Sequence, residues 1–177
     1  MQLNDAIALI GRSLPGHTWA DLGCGSGLFT YALAHLLPRG STIYALDKSR
    51  TALTEHPNPQ EVIIHQKQTD FVKDAIALPR LDGILMANAL HYAADKQPLL
   101  AKLGRSLKEN GVFLAVEYDT EKANPWVPYP IKFDALRELF HANGYTAVTK
   151  LGERPSIYGA GKMYAALAVF TPSSPRL

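Results

Sequence analysis

Cysteine is all but missing: Cys24 stands alone in 177 residues, which excludes an intramolecular disulfide and a cysteine metal cluster. Long apolar runs are missing too. None reaches the roughly 18 residues of a membrane span, and the opening Met1-Gln2-Leu3-Asn4-Asp5 lacks the basic flank of a signal peptide, so the expected address is the cytoplasm with no membrane contact. Blocks of like charge do not occur. The 18 basic and 16 acidic residues are scattered and leave a net charge of +2, so no footprint for nucleic acid stands out. The histidines (His17, His35, His56, His65, His91 and His141) show no pairing at ligand spacing, and no metal is expected. What remains is a chain of 47% hydrophobic residues, long enough for one domain over 1–177 that buries a sheet on both faces.

The most informative stretch is Thr18-Trp19-Ala20-Asp21-Leu22-Gly23-Cys24-Gly25-Ser26-Gly27-Leu28-Phe29-Thr30, an apolar strand that runs into three alternating glycines and then a helix opened by Ser26 or Gly27. Such glycines let another molecule lie against bare backbone, and the first helical amides would point at it. Leu28 replaces the third glycine of a dinucleotide fingerprint, and the Gly-Lys-Ser/Thr of a phosphate-binding loop is missing. A second acid, Asp47, closes the next apolar run twenty residues after Gly27, where it can accept hydrogen bonds from a ribose diol. The ligand expected is a nucleoside with little or no phosphate. Cys24, between two glycines and without an adjacent base, reads as a small filler and not as a reactive thiol.

The segment Ala20-Asp21-Leu22-Gly23-Cys24-Gly25-Ser26-Gly27 resembles motif I of the class I S-adenosylmethionine-dependent methyltransferases, here in a small type 11-like form. The resemblance implies that Asp21, Gly23, Cys24, Gly25 and Gly27 cradle the methionine part of S-adenosyl-L-methionine. It further implies that Asp47, followed by Lys48, binds the ribose hydroxyls. Asp70 in Gln68-Thr69-Asp70-Phe71 would meet the adenine amine with Phe71 as its apolar neighbour, and Asn88 would touch the methionine end through its backbone. The product would be S-adenosyl-L-homocysteine.

The rest of the chain reads as a Rossmann-like α/β sandwich. A short helix is expected over residues 4–12 behind an Asn4 cap, then a helix from Leu28 to Leu37, and a strand over 42–46 followed by a short helix that cannot pass Pro57. Strands over 62–65, 81–88 and 112–118, a helix over 99–107 and another over 133–142 ended by Asn143-Gly144 continue the alternation. Alternation implies a mostly parallel sheet with helices on both faces. The last two strands, 145–151 and 163–170, leave room only for a hairpin, so the seventh strand should run antiparallel. The tail 171–177 reads as frayed.

Ligands of open parallel sheets lie beyond the carboxyl ends of the strands. His91 and Tyr92 follow the fourth strand and Glu117 ends the fifth, which makes these three the catalytic candidates. His91 is a base, a substrate contact or a plain loop histidine; Tyr92 is a pocket wall before a catalyst; Glu117 binds an amine, takes a proton or pairs with a cation. Asn124-Pro125-Trp126-Val127-Pro128-Tyr129-Pro130 is a stiff aromatic loop that reads as substrate wall, lid or packing. Arg154 and Tyr158 in the last hairpin lie within reach of the same space. The reading is a metal-independent methyltransferase acting on a small-molecule acceptor; the alternative is a catalytically inactive module that binds S-adenosylmethionine or its product.

Overall fold

Strand residues alternate between two apolar faces, and both faces are covered. The computed structural model describes residues 1–11, 13–156 and 161–171. Its elements are α1 (Leu3–Ile10), β1 (Thr18–Leu22), α2 (Leu28–Leu36), β2 (Thr42–Asp47), β3 (Ile63–Gln68), β4 (Leu81–Ala87), α3 (Lys96–Gly104), β5 (Leu107–Tyr118), α4 (Phe133–Ala142), β6 (Tyr145–Pro155) and β7 (Lys162–Phe170). A single 3-10 turn, Leu90–Tyr92, follows β4.

The sheet has seven strands in the order β3-β2-β1-β4-β5-β7-β6. β1 pairs in parallel with β2 and β4, and the order reverses there, which opens a crevice at the carboxyl end of β1. β7 runs antiparallel to both β5 and β6, as the hairpin length predicts. One face packs Trp19, Leu33, Ile43, Leu114 and Val116 under α1 and α2. The other packs Ile84, Phe113, Leu136, Phe140 and Tyr145 under α3 and α4. Three layers result, a Rossmann-like fold with a mostly parallel sheet.

Several boundaries differ from expectation, each for a local reason. Helix α1 starts at Leu3, ahead of the expected Asn4 cap, because the Asp5 carboxylate accepts the Gln2 N–H at 3.0 Å. The helix expected after β2 does not form: Thr54 donates its N–H to the Ser26 carbonyl at 2.8 Å, and His35 Nε2 meets the Pro57 carbonyl at 2.9 Å. Backbone groups tied to the glycine loop cannot bond to their own i−4 partners. Residues 69–80 also cross without a helix, held to α3 by Lys102, whose Nζ donates to the carbonyls of Phe71 and Asp74. Leu107 leaves the helix and opens β5 opposite Leu81, with a register shift before Val112 and Asn110 at φ 60°. β3 extends to Gln68 as an exposed edge, and its polar residues hide it from periodicity. Helix α4 matches its expected span, Gly144 following in the left-handed region. The tail beyond Thr171 lies outside the described residues. Among the described residues, no helix is long and apolar enough to cross a membrane.

Candidate active site

The glycine loop is shaped by its neighbours as much as by any ligand. Gly27 caps α2 at φ 92°, and a Cβ there would stand 2.8 Å from the Leu53 side chain. Gly23, at φ 84°, allows the Ala89 methyl and the Phe71 ring to approach from the loops after β4 and β3; an added Cβ would lie 2.6 Å from the Ala89 Cβ. Only Gly25 of the three faces open space. The amides are engaged by the chain itself: Gly23 and Cys24 donate to the Leu46 carbonyl at 2.7 and 3.1 Å, Gly27 to Cys24, and Gly25 to Asp47 Oδ2 at 2.9 Å. Of the first helical amides expected to point at a ligand, that of Gly27 is taken up by the Cys24 carbonyl.

Asp47 ends β2 with its carboxylate divided between Gly25 N–H and Ser49 N–H, the latter at 2.8 Å to Oδ1. Each oxygen keeps a lone pair for a further donor. Asp21 lies behind the loop, fully buried; its Oδ2 accepts the Thr30 hydroxyl at 2.6 Å and its Oδ1 meets no partner among the described residues. Burial pushes its pKa up to about 7, helped by the Asp47 charge and opposed by Thr30. The Cys24 thiol is driven up to about 12 by burial and the two nearby carboxylates, which leaves it a filler of the loop. Asp70 Oδ1 accepts the amides of Val72 and Lys73 and caps its own turn, while Phe71 is buried against Gly23. Lys48 reaches across to Tyr92, its Nζ 5.4 Å from the ring centre.

Asn88 leaves β4 at φ 53°, a conformation that asparagine tolerates better than most residues. Its N–H donates to Val116 at 2.8 Å, and its buried Oδ1 has no partner among the described residues. Because Ala87 pairs with Val116, the segment after β4 stands opposite Glu117. His91 is brought there: Glu117 Oε2 lies 2.6 Å from Nδ1, and Oε1 accepts the His91 N–H at 3.2 Å. Both side chains are buried. In the neutral imidazole, a carboxylate that accepts both bonds places the proton on Nδ1 and leaves Nε2 as an acceptor.

His91 and Asn88 border a cavity of about 720 Å³ at the carboxyl ends of β4 and β5. Tyr92, Tyr118, Trp126 and Val127 add walls, and Lys122 and Lys162 add charge. The aromatic loop is sewn to the His91 turn, since Tyr129 N–H donates to the His91 carbonyl at 3.1 Å and Lys96 Nζ bridges the carbonyls of Ala93 and Tyr129. Burial lowers the Lys96 pKa, against the pull of Glu117 and Asp95. Arg154 turns away from this cavity to pair with Asp5 of α1 at 3.3 Å. Tyr158 lies outside the described residues. Among the described residues, no group of three or more His, Cys, Asp or Glu is placed to hold a metal ion.

Tyr118, Thr120, Lys122 and Lys162 were not singled out by the sequence, although the loop after β5 and the last hairpin were. The His91–Glu117 pair was missed as a pair. Its signal is a histidine and an acid at the carboxyl ends of adjacent parallel strands.

An open sheet with its order reversed beside a glycine loop, an acid closing the second strand and a cavity over the next two strand ends define a nucleoside-dependent α/β class. A family profile described as a methyltransferase domain matches residues 20–113, more than half of the chain, and the chain belongs to that family. No curated protein sequence matches it significantly.

Solved structures agree in fold. The YcgJ protein of Bacillus subtilis superposes with a TM-score of 0.65 at 15% identity, covering 97% of this chain and 98% of that one. The 1,6-didemethyltoxoflavin-N1-methyltransferase of Burkholderia thailandensis, with 1,6-didemethyltoxoflavin and S-adenosylhomocysteine bound, gives 0.70 at 18%, covering 96% and 78%. A methyltransferase dependent on S-adenosylmethionine from Aquifex aeolicus gives 0.67 at 17%, covering 96% and 89%.

Proposed function

We propose that this chain transfers the methyl group of S-adenosyl-L-methionine to a small-molecule acceptor, without a metal and in the cytoplasm. The donor set around the loop suits that cofactor. Gly25 leaves open space beside it, Asp47 keeps lone pairs for ribose hydroxyls, and Asn88 Oδ1 is an orphaned acceptor next to the cavity. These are acceptors without a basic cluster, as a cationic nucleoside without phosphate requires. Asp47 would hold the ribose, Gly23, Cys24, Gly25 and Gly27 the methionine part, and Phe71 the side of the base, with Asp21 bracing the loop from behind. When bound, the cofactor supplies an electrophilic methyl carbon on a positively charged sulfur.

The chain supplies position and proton control. Its cavity holds the acceptor in line and limits water, the main demand of a displacement at carbon. Glu117 fixes the His91 ring with Nδ1 protonated, so Nε2 can take a proton from an oxygen acceptor. The observation that carries the reading is this buried pair bordering a cavity that is also lined by Asn88, the residue that follows β4 beside β1.

The test is formation of S-adenosylhomocysteine over a broad acceptor panel, with His91→Ala as comparison. Turnover that falls on substitution while cofactor affinity holds supports the proposal. Cofactor binding with no turnover on any acceptor would instead identify a binding module.

A further inference from the structure

Ring faces and charge around His91 narrow the acceptor further. The volume, about 720 Å³, lies within the range of roughly 300–1,000 Å³ common for small-molecule sites. Four aromatic rings, those of His91, Tyr92, Tyr118 and Trp126, stand on its border. The ring centres of Tyr92 and Tyr118 lie 4.5 and 6.0 Å from that of His91, and Trp126 joins them across the cavity.

Trp126 is the unusual member. It is 76% exposed, yet its turn is fixed, since Asn124 Oδ1 accepts the N–H groups of Trp126 and Val127 at 2.9 and 3.0 Å. An indole displayed on a fixed turn beside a cavity offers a face for another planar ring.

The charge is one-sided. Among the described residues no carboxylate borders the cavity, because Glu117 is sealed behind His91; Lys122 and Lys162 do border it. Lys162 is shared with Glu153 at 3.2 Å, whereas Lys122 has no ion pair among the described residues. Such a field disfavours an ammonium acceptor and favours a neutral or anionic one. A nitrogen or sulfur nucleophile has little need of a base, whereas a hydroxyl must give up its proton. Burying a carboxylate and an imidazole is costly, and a hydroxyl acceptor uses them.

Resting on the methyl-transfer reading above, we infer that the acceptor is a planar aromatic hydroxyl compound, neutral or anionic, methylated on oxygen with its ring against Trp126. The hydroxyl proton passes to His91 Nε2, and the oxygen lone pair forms the bond to the methyl carbon. The carbon–sulfur bond breaks with its electron pair left on sulfur, giving the neutral thioether, and the imidazolium then returns its proton to solvent.

The experiment is protein-observed NMR on the full chain saturated with S-adenosylhomocysteine. The two indole N–H signals are watched, and Trp126→Phe assigns them. Trp19, buried and bonded to the Pro15 carbonyl at 2.9 Å, serves as the internal reference. Naphthol and hydroxynaphthoate should shift the Trp126 signal, leave that of Trp19, and bind about tenfold or more tighter than decahydronaphthol and naphthylmethylamine. Trp126→Ala should remove most of that difference without changing S-adenosylhomocysteine affinity. With S-adenosylmethionine in its place, mass spectrometry should find the methyl ether.

The inference is overturned if the saturated or the ammonium probe binds as well as the naphthols, or if no probe moves Trp126 while the nucleoside binds. Failure of the nucleoside itself to bind appears before any acceptor is added. That outcome overturns the methyl-transfer reading and this inference with it.

Discussion

Replacing Glu117 by Gln should switch the protonated nitrogen of His91. In the native protein Oε1 accepts the His91 N–H at 3.2 Å and Oε2 accepts Nδ1–H at 2.6 Å. A glutamine in the same place can satisfy the backbone N–H with its oxygen, but then presents an NH₂ group to Nδ1. The ring must answer with a lone pair at Nδ1, which moves the proton to Nε2 and removes the lone pair on which the proposed base role depends.

Two magnitudes follow. Exchanging a charge-assisted bond for a neutral one should cost about 1–2 kcal/mol of stability. Loss of general-base help should lower kcat on a hydroxyl acceptor by about 10²–10⁴-fold. The assay needs no acceptor: long-range proton–nitrogen NMR of the imidazole should show Nδ1–H in the native protein and Nε2–H in Glu117→Gln. The same tautomer in both proteins would refute the reasoning.

Other outcomes follow from the same structure. Asp47→Ala should weaken cofactor binding by about 1–3 kcal/mol through unpaired hydroxyls, measured by titration calorimetry; His91→Ala should leave that affinity nearly intact. Asp21 keeps its proton in the folded chain up to about pH 7 and loses it near pH 4 when unfolded. Its contribution to stability is therefore full below pH 4 and is lost as pH rises to about 7. Thermal melts should show the native protein losing ground to Asp21→Asn between pH 5 and pH 8, judged as the difference between the two on the order of the pKa shift. Cys24, with its thiol pushed up to about 12, should resist iodoacetamide at pH 8 until the chain is unfolded, which mass spectrometry will read.

The parts of the site that are contiguous in sequence were legible, and the parts made by register were not. Asp21 to Gly27 and Asp47 could be read because a strand, a turn and an acid follow one another within thirty residues, and backbone rules at such turns are strict. The antiparallel β7 was legible from connection length alone. Glu117 and His91 are 26 residues apart and meet only because Ala87 pairs with Val116, a register that no local pattern prints. The helix expected after β2 failed for a related reason: Thr54 and Pro57 bond to the glycine loop and to His35, a tertiary choice that overrides local propensity. Two of the three glycines also admit Ala89 and Leu53, a close approach within the chain that the sequence pattern does not print.

The central claim is that the crevice at Gly25 and Asp47 takes an adenosine carrying methionine. Calorimetric titration of the purified chain with S-adenosylhomocysteine tests it most directly. One site should bind at micromolar concentrations and lose about fivefold or more in Asp47→Ala. No heat up to about millimolar ligand, or equal affinity in the two proteins, would contradict it.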